Sequence, residues 1–364
     1  MKKILHCADV HLSAGEKDYS LGVLKEIVDT ANTEKADFLL FAGDTFDSFD
    51  DYESLKGDFS RTIKQAHSEC SVLFMTGNHE NLGRKNKSLS AQELGISQDC
   101  FFDSTTAPFL LHSSGGLEFL VVSHRDDYTG YVDWSVPVKQ VKYRICVAHT
   151  TIPELVYTGS DDGEASAGVM DPDLFSRFSV DYAALGHIHS ERETQYGSVK
   201  IVYPGSPRVW RKNEDGVRSV RLVELGESVT VTKKEISSAG QFRYFNVNLS
   251  LEGTPDADIS QHAKNFNSSD WIWVELAGLI EDRQTVDEYK RSITNVFSGK
   301  VRRIDIDDAG VETCSGIASQ DIARKFLQLW EARKPATVGD ELEVWRRARA
   351  VGLGEIKKMF EAQS

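Results

Sequence analysis

At 364 residues and 40.6 kDa the chain exceeds the roughly 250–300 residues at which single cores stop growing, so one large domain with appendages is expected. Hydrophobic residues make up 40% and charged residues 27%, and no stretch approaches the ~20 apolar residues that cross a bilayer, which argues against membrane insertion. A formal net charge of −14 argues against a protein that grips nucleic acid through a broad basic surface, yet it leaves room for a polyphosphate substrate drawn by local cations, bound metal included.

The opening "MKKILHCADVHLS" holds only a short apolar run, broken by His6 and Asp9, and reads as the first strand of a cytosolic domain rather than a signal peptide. Leu21, Leu24, Ile27, Val28 and Ala31 then recur at helical spacing. Further strand-like runs follow in "ADFLLFAGDTFD", "SVLFMTGNHE", "LEFLVVSH", "YRICVAHT" and "VDYAALGHIH". Buried strands alternating with amphipathic helices imply a layered α/β domain. In such sheets ligands bind beyond the carboxyl ends of the strands, where Asp9, Asp44, Asn78, His149, His187 and His189 all fall. Asp9 and His11 flank Val10, and His187 and His189 flank Ile188, so an extended backbone would aim each pair to one side. Gly43, Gly77 and Gly186 each precede a candidate residue, which suits tight turns and close backbone approach. The five cysteines are scattered without a C-x-x-C pair, so neither a disulfide framework nor a zinc knuckle is expected.

Past a hairpin pattern in "VRSVRLVELGESVTVTKKEI", Ser237–Gly240 makes a boundary. "FRYFNVNLSL", "DWIWVELAGLI" and "KVRRIDIDD" are three strand patterns, with helical stretches near 258–267 and 284–297, enough for a small α+β core. Trp271 and Trp273 share one face by alternation, and core packing is the expected use of both. From Ser319 to Ser364 nine Lys/Arg face seven Asp/Glu, a balance of +2 against −16 for the rest. There Ile322, Phe326, Leu329 and Trp330 form one helical stripe and Val338, Leu342, Trp345 and Ala348 another, broken at Lys334-Pro335. Two amphipathic helices with exposed-looking tryptophans suit docking to a partner.

Carboxylates, imidazoles and an amide oxygen together are the donor set of hard divalent cations that assist phosphate hydrolysis, and a two-ion site needs one bridging carboxylate, for which Asp44 is the natural choice. "DVH", "GDTFD", "GNHE", "AHT" and "GHIH" resemble, in order, the motif set of the calcineurin-like metallophosphoesterases. That resemblance implies a β-sandwich flanked by helices. It assigns Asp9, His11, Asp44 and His189 to one metal, and Asp44, Asn78, His149 and His187 to a second. His79 becomes the non-ligand histidine facing the leaving group. The N-terminal "ILHCADVHLS", "YPGSPRVW" after "GHIH" and the long C-terminal extension are further similar to the SbcD-type nuclease subunits of SbcC–SbcD (MRN-like) DNA repair complexes, clearly to about residue 225. Protein phosphatases share "GNHE" but continue the bridging-Asp motif with Arg-Gly, where this chain has Phe46 and Asp47. Archaeal and eukaryotic nuclease relatives carry a His at the position of Asp47, so no role of that His transfers here.

The resemblance thus implies a phosphoesterase domain over 1–236, a capping domain over 241–310 and a helix-loop-helix over 319–364. It further implies DNA as substrate, a homodimer, two divalent ions (Mn2+ foremost), and an SbcC-like coiled-coil ATPase partner on the terminal helices. A phosphodiesterase for small substrates, a protein phosphatase and a non-catalytic scaffold are the rivals. Glu80 is expected behind the ligands or in solvent, and His6, His67, His112 and His262 at the surface or in the core. His124 lies outside the expected ligand set, with a place beside the cleft open to it. "GSDDGE" at 159–164 reads as a solvated loop.

Overall fold

The computed structural model describes residues 1–80, 89–102, 107–125, 128–153, 168–249, 266–280, 283–313, 321–333 and 340–361. It divides into two compact units, Met1–Gln241 and Phe242–Ser364. The first runs β1 (Lys2–Cys7), α1 (Lys17–Glu34), β2 (Phe38–Ala42), α2 (Phe49–Ile63), β3 (Ser71–Met75), β4 (Phe101–Phe102), β5 (Phe109–Ser114), β6 (Leu117–Val122), β7 (Arg144–His149), α3 (Asp173–Arg177), β8 (Tyr182–Gly186), β9 (Arg192–Tyr196), β10 (Val199–Tyr203), β11 (Ser219–Leu225) and β12 (Val229–Glu235). Two six-stranded sheets result, ordered β12-β11-β1-β2-β3-β4 and β5-β6-β7-β8-β10-β9.

Strands β1 to β4 are mutually parallel, as are β6, β7, β8 and β10. Covered on both faces, they read as unbroken apolar runs rather than alternating ones. In β2, Leu39 and Phe41 pack with Val23, Leu24, Ile27 and Val28 of α1, while Phe38, Leu40 and Ala42 meet Phe119, Val121, Ile145 and Val147 of the second sheet. Burial of each such side chain contributes about 1.5–3 kcal/mol, so the sandwich is held from both sides of each central strand. Leu21, expected on the buried stripe of α1, is half-buried, and Val23 takes its place. Helix α2 starts where Ser48 Oγ accepts the Asp51 amide at 3.1 Å, just after the "GDTFD" turn. Hairpin β11–β12 joins the first sheet beside β1, as the sequence implies. Parallel order brings the carboxyl ends of β1, β2, β3, β7 and β8 to one edge of the sandwich.

In the second unit β13 (Phe242–Leu249), β14 (Trp271–Ile280) and β15 (Arg303–Thr313) form a parallel sheet in that order. Ile272, Val274 and Leu276 pack against Val286, Tyr289, Ile293 and Phe297 of α4 (Arg283–Phe297). Alternation puts Trp271 and Trp273 on the opposite face, where Trp271 is buried as expected, against Phe242 and donating to Asp305 Oδ2 at 2.6 Å beneath the Arg303 guanidinium, while Trp273 is only half-buried. The expected helix near 258–267 lies largely outside the described residues. Helices α5 (Asp321–Glu331) and α6 (Asp340–Glu361) meet through Ala323, Phe326, Leu353 and Ile356. Trp330 and Trp345 are not the exposed pair the sequence implies. Their rings stack at 3.6 Å, and each indole N–H donates to the other residue's carbonyl. Exposed instead are Ile322, Leu329, Val344, Val351 and Met359. The break at Lys334-Pro335 and Val338 lie outside the described residues. Among the described residues no helix is long and apolar enough to cross a membrane.

Candidate metal centre

The backbone turns before the side chains converge. Asp9, His11 and Asp44 have φ of 54°, 45° and 49°, and His187 has 102°, a region that non-glycine residues rarely enter and that clusters at functional sites. The expectation of an extended backbone through Asp9-Val10-His11 is therefore corrected: β1 ends at Cys7, and two left-handed residues aim the pair. The Asp9 amide donates to Gly43 O and the His11 amide to Asp44 O, both at 3.0 Å, lacing the two motif loops together. At Gly77 an added Cβ would lie 2.1 Å from Asp44 Oδ1, and at Gly43, itself at φ 93°, 2.2 Å from His149 Nδ1. No side chain fits at either position.

All seven expected ligands and His79 come together. His11 Nε2 and His189 Nε2 lie 3.1 Å apart, and the ligand atoms of Asp9, His11 and His189 fall within 4.8 Å of one another. Beside them, Asn78 Oδ1 lies 2.9 Å from His149 Nε2 and 3.2 Å from His187 Nδ1, and His149 Nε2 lies 3.1 Å from Asp44 Oδ2. His149 donates through Nδ1 to Ala42 O at 2.9 Å, so in neutral form its Nε2 lone pair faces the cluster. His79 donates through Nδ1 to Asp47 O at 2.8 Å and through its amide to Asp44 Oδ1 at 3.0 Å. Its side chain is 22% exposed, whereas those of His11 and His149 are fully buried.

Burial pushes the Asp9 carboxyl up to about 6, and burial also drives His11 well below its ordinary range. Burial works against charge on Asp44 and His149 too, but their mutual attraction outweighs it: Asp44 is held far below the usual carboxylate range and His149 is raised to about 10. Two fully buried carboxylates among imidazoles thus draw a proton where a cation would serve. His11 Nδ1 is buried without a hydrogen bond, and Asp44 Oδ2 is paired with the His149 ring at 3.1 Å. Hard and borderline donors, convergent and short of positive charge, fit a divalent metal.

Residues 2–191 match the family model of calcineurin-like phosphoesterases. The chain belongs to that family. It is 24% identical over 246 residues to the uncharacterized metallophosphoesterase YhaO of Bacillus subtilis, a match covering 61% of this chain and 57% of that relative. A dimetal phosphatase from Danio rerio is similar at 12% identity and a TM-score of 0.41, over 64% of this chain and 96% of that one. An archaeal phosphodiesterase is similar at 11% identity and a TM-score of 0.35, over 64% and 99%.

Around this calcineurin-like centre stand residues that the motifs leave unassigned. Glu80 is buried rather than in solvent, accepting the Phe46 amide at 2.8 Å and the Gly77 amide at 3.0 Å, so it ties two motif loops together. His124 is buried against the cluster, donating through Nδ1 to His149 O at 2.8 Å. Glu214 Oε1 takes the Nδ1 proton of His189 at 2.9 Å, the carboxylate–histidine arrangement that orients metal ligands. Only the nearness of "NED" to "GHIH" hints at Glu214 in sequence. Trp210 stacks on His11 at 3.9 Å with an interplanar angle of 3°, and no spacing announces it. His6 and His67 are partnered as expected, by the Tyr182 hydroxyl and Ala36 O, and His112 is half-buried among Phe102 and Phe119. His262 and "GSDDGE" lie outside the described residues.

Proposed function

We propose that this phosphoesterase is a metal-dependent DNA nuclease of the SbcD type, cutting phosphodiesters at DNA ends, hairpins or single strands during double-strand-break processing. The observation that carries the reading is a buried Asp/His cluster with one partly exposed histidine, His79, at its rim. Two divalent ions, Mn2+ foremost, would be held by Asp9, His11, Asp44 and His189 on one side and by Asp44, Asn78, His149 and His187 on the other. When bound they supply Lewis-acid stabilisation of the phosphate charge and activation of water. The chain's own part is positional. Glu214 and Ala42 O fix the planes of His189 and His149, and the left-handed turns hold Asp9, His11 and Asp44 in place before substrate arrives. His79 keeps its Nδ1 proton on Asp47 O, so it is the protonated imidazolium form that gives its Nε2 proton to the departing oxygen and becomes neutral.

Residues 1–236 act as nuclease, 241–310 as a cap, and 319–364 as the dock for an SbcC-like coiled-coil ATPase, two nuclease chains working as a homodimer. The apolar side chains exposed on α5 and α6 support the docking role. The test is hydrolysis of end-labelled duplex, single-stranded and hairpin DNA in Mn2+, with bis-p-nitrophenyl phosphate alongside. His79→Ala is expected to lower turnover by about 10²–10⁴-fold with metal content unchanged. Turnover of the small diester with no DNA cut, even with the ATPase added, would replace the nuclease by a small-substrate phosphodiesterase.

A further inference from the structure

Trp210 is the central layer of a stack. Its indole lies flat on the His11 imidazole at 3.9 Å, and the Arg211 guanidinium sits over the indole at 4.0 Å from its centroid. Two groups this close to one centroid cannot share a face, so the order is His11, Trp210, Arg211. The indole also meets His189 at 4.9 Å and, edge to face, His79 at 5.6 Å. Asp47 stands beside this stack: its carbonyl orients His79, and its carboxylate lies 3.4 Å from His11 Nδ1. The backbone is pinned as well: the Trp210 amide donates to Glu214 Oε2 at 2.7 Å, and the other oxygen of that carboxylate holds His189.

His11 needs such a brace. Its Nδ1 makes no hydrogen bond of the kind that fixes His149 through Ala42 O or His189 through Glu214. Asp47 Oδ1 lies 3.4 Å from that nitrogen without making a hydrogen bond, so the ring plane is left to a flat aromatic neighbour. We propose that Trp210 is a positioning residue that holds the His11 ring so that Nε2 faces His189 Nε2, preforming half of the metal centre. This rests on the metal-centre reading and not on DNA as the substrate.

The experiment is Mn2+ binding to the full chain, followed by calorimetry and by indole fluorescence, in wild type, Trp210→Ala and Trp210→Phe. Trp210→Ala is expected to weaken Mn2+ binding by about 10-fold, the lower end of what losing a residue that orients a ligand costs. Trp210→Phe keeps the flat face and should retain most of the affinity. Paramagnetic Mn2+ should quench one indole more strongly in wild type than any in Trp210→Phe, a comparison that survives if the alanine variant fails to fold. Turnover of bis-p-nitrophenyl phosphate by Trp210→Ala should return toward the wild-type kcat as Mn2+ is raised, which a general packing defect would not allow. Equal Mn2+ affinity in wild type and a folded Trp210→Ala, or equal quenching in wild type and Trp210→Phe, overturns the proposal alone. A wild-type chain that binds no Mn2+ overturns the metal centre and the proposal with it.

Discussion

At the scale of single residues, the buried histidines divide by what surrounds them. His6 sits three residues before Asp9 yet belongs to the sandwich interior, its Nδ1 2.9 Å from the Tyr182 hydroxyl. Burial, reinforced by the Arg221 charge, pushes its pKa from 6.5 down to about 3. Between those values the unfolded chain binds a proton that the folded chain refuses, so stability rises with pH there. The contribution of neutral His6 is complete above pH 6.5 and is lost as pH falls toward 3, amounting at the limit to about 5 kcal/mol. His6→Gln should flatten the acid limb of stability against pH, measured as urea midpoints from pH 7 to 4. An unchanged slope would place the titration elsewhere. The convergence of the candidate ligands was legible because metal chemistry restricts residue type, and five short motifs kept their order. Left-handed φ at Asp9, His11 and Asp44 was not legible, since no glycine marks it and the turns are enforced by amide bonds between distant loops. Trp210 was equally hidden, because a stacking neighbour needs only shape and can come from anywhere in the chain.

Among elements, the second sheet depends on a polar joint. Arg144, on β7, donates to Glu118 Oε2 of β6 through Nε at 2.8 Å and Nη2 at 2.6 Å. The same guanidinium reaches Phe178 O at 2.7 Å and Pro137 O at 2.8 Å, so one side chain ties two strands to the end of α3 and to the segment before β7. Both charged side chains are nearly fully buried. Arg144→Met should cost about 3–5 kcal/mol by leaving the Glu118 charge unpaired, and adding Glu118→Gln should recover part of that loss. Denaturant unfolding of the two single variants and the double variant measures the coupling. If the double variant falls by the sum of the singles, the pair is not coupled. This joint escaped sequence reading because an Arg inside "YRICVAHT" looks like a strand edge, whereas three acceptors make it interior. The β2 strand, by contrast, announced itself as an unbroken apolar run of the length parallel strands need.

For the whole molecule, the exposed apolar residues of α5 and α6 separate two properties. Leu329 and Val351 are 57% and 63% exposed and lie outside the apolar cluster that joins the helices. Leu329→Ser with Val351→Ser should leave folding within about 0.5 kcal/mol of wild type and diester turnover unchanged, while abolishing co-elution with the SbcC-like ATPase proposed as the partner. Retained co-elution would move the dock to another surface. The helix pair was visible in sequence, but which residues it would turn outward was not: tryptophans look like docking anchors until a second tryptophan is found stacked on the first.

Asp9, Asp44 and Asn78 leave the strand ends of one sheet, whereas His149, His187 and His189 leave those of the other. No early-folding segment carries both halves. During synthesis the first sheet's residues emerge well before His189 does, and β11, which pairs with β1, emerges later still. The candidate metal centre is therefore left incomplete until the ribosome has passed the sandwich, however well the first strands of a nascent chain have paired.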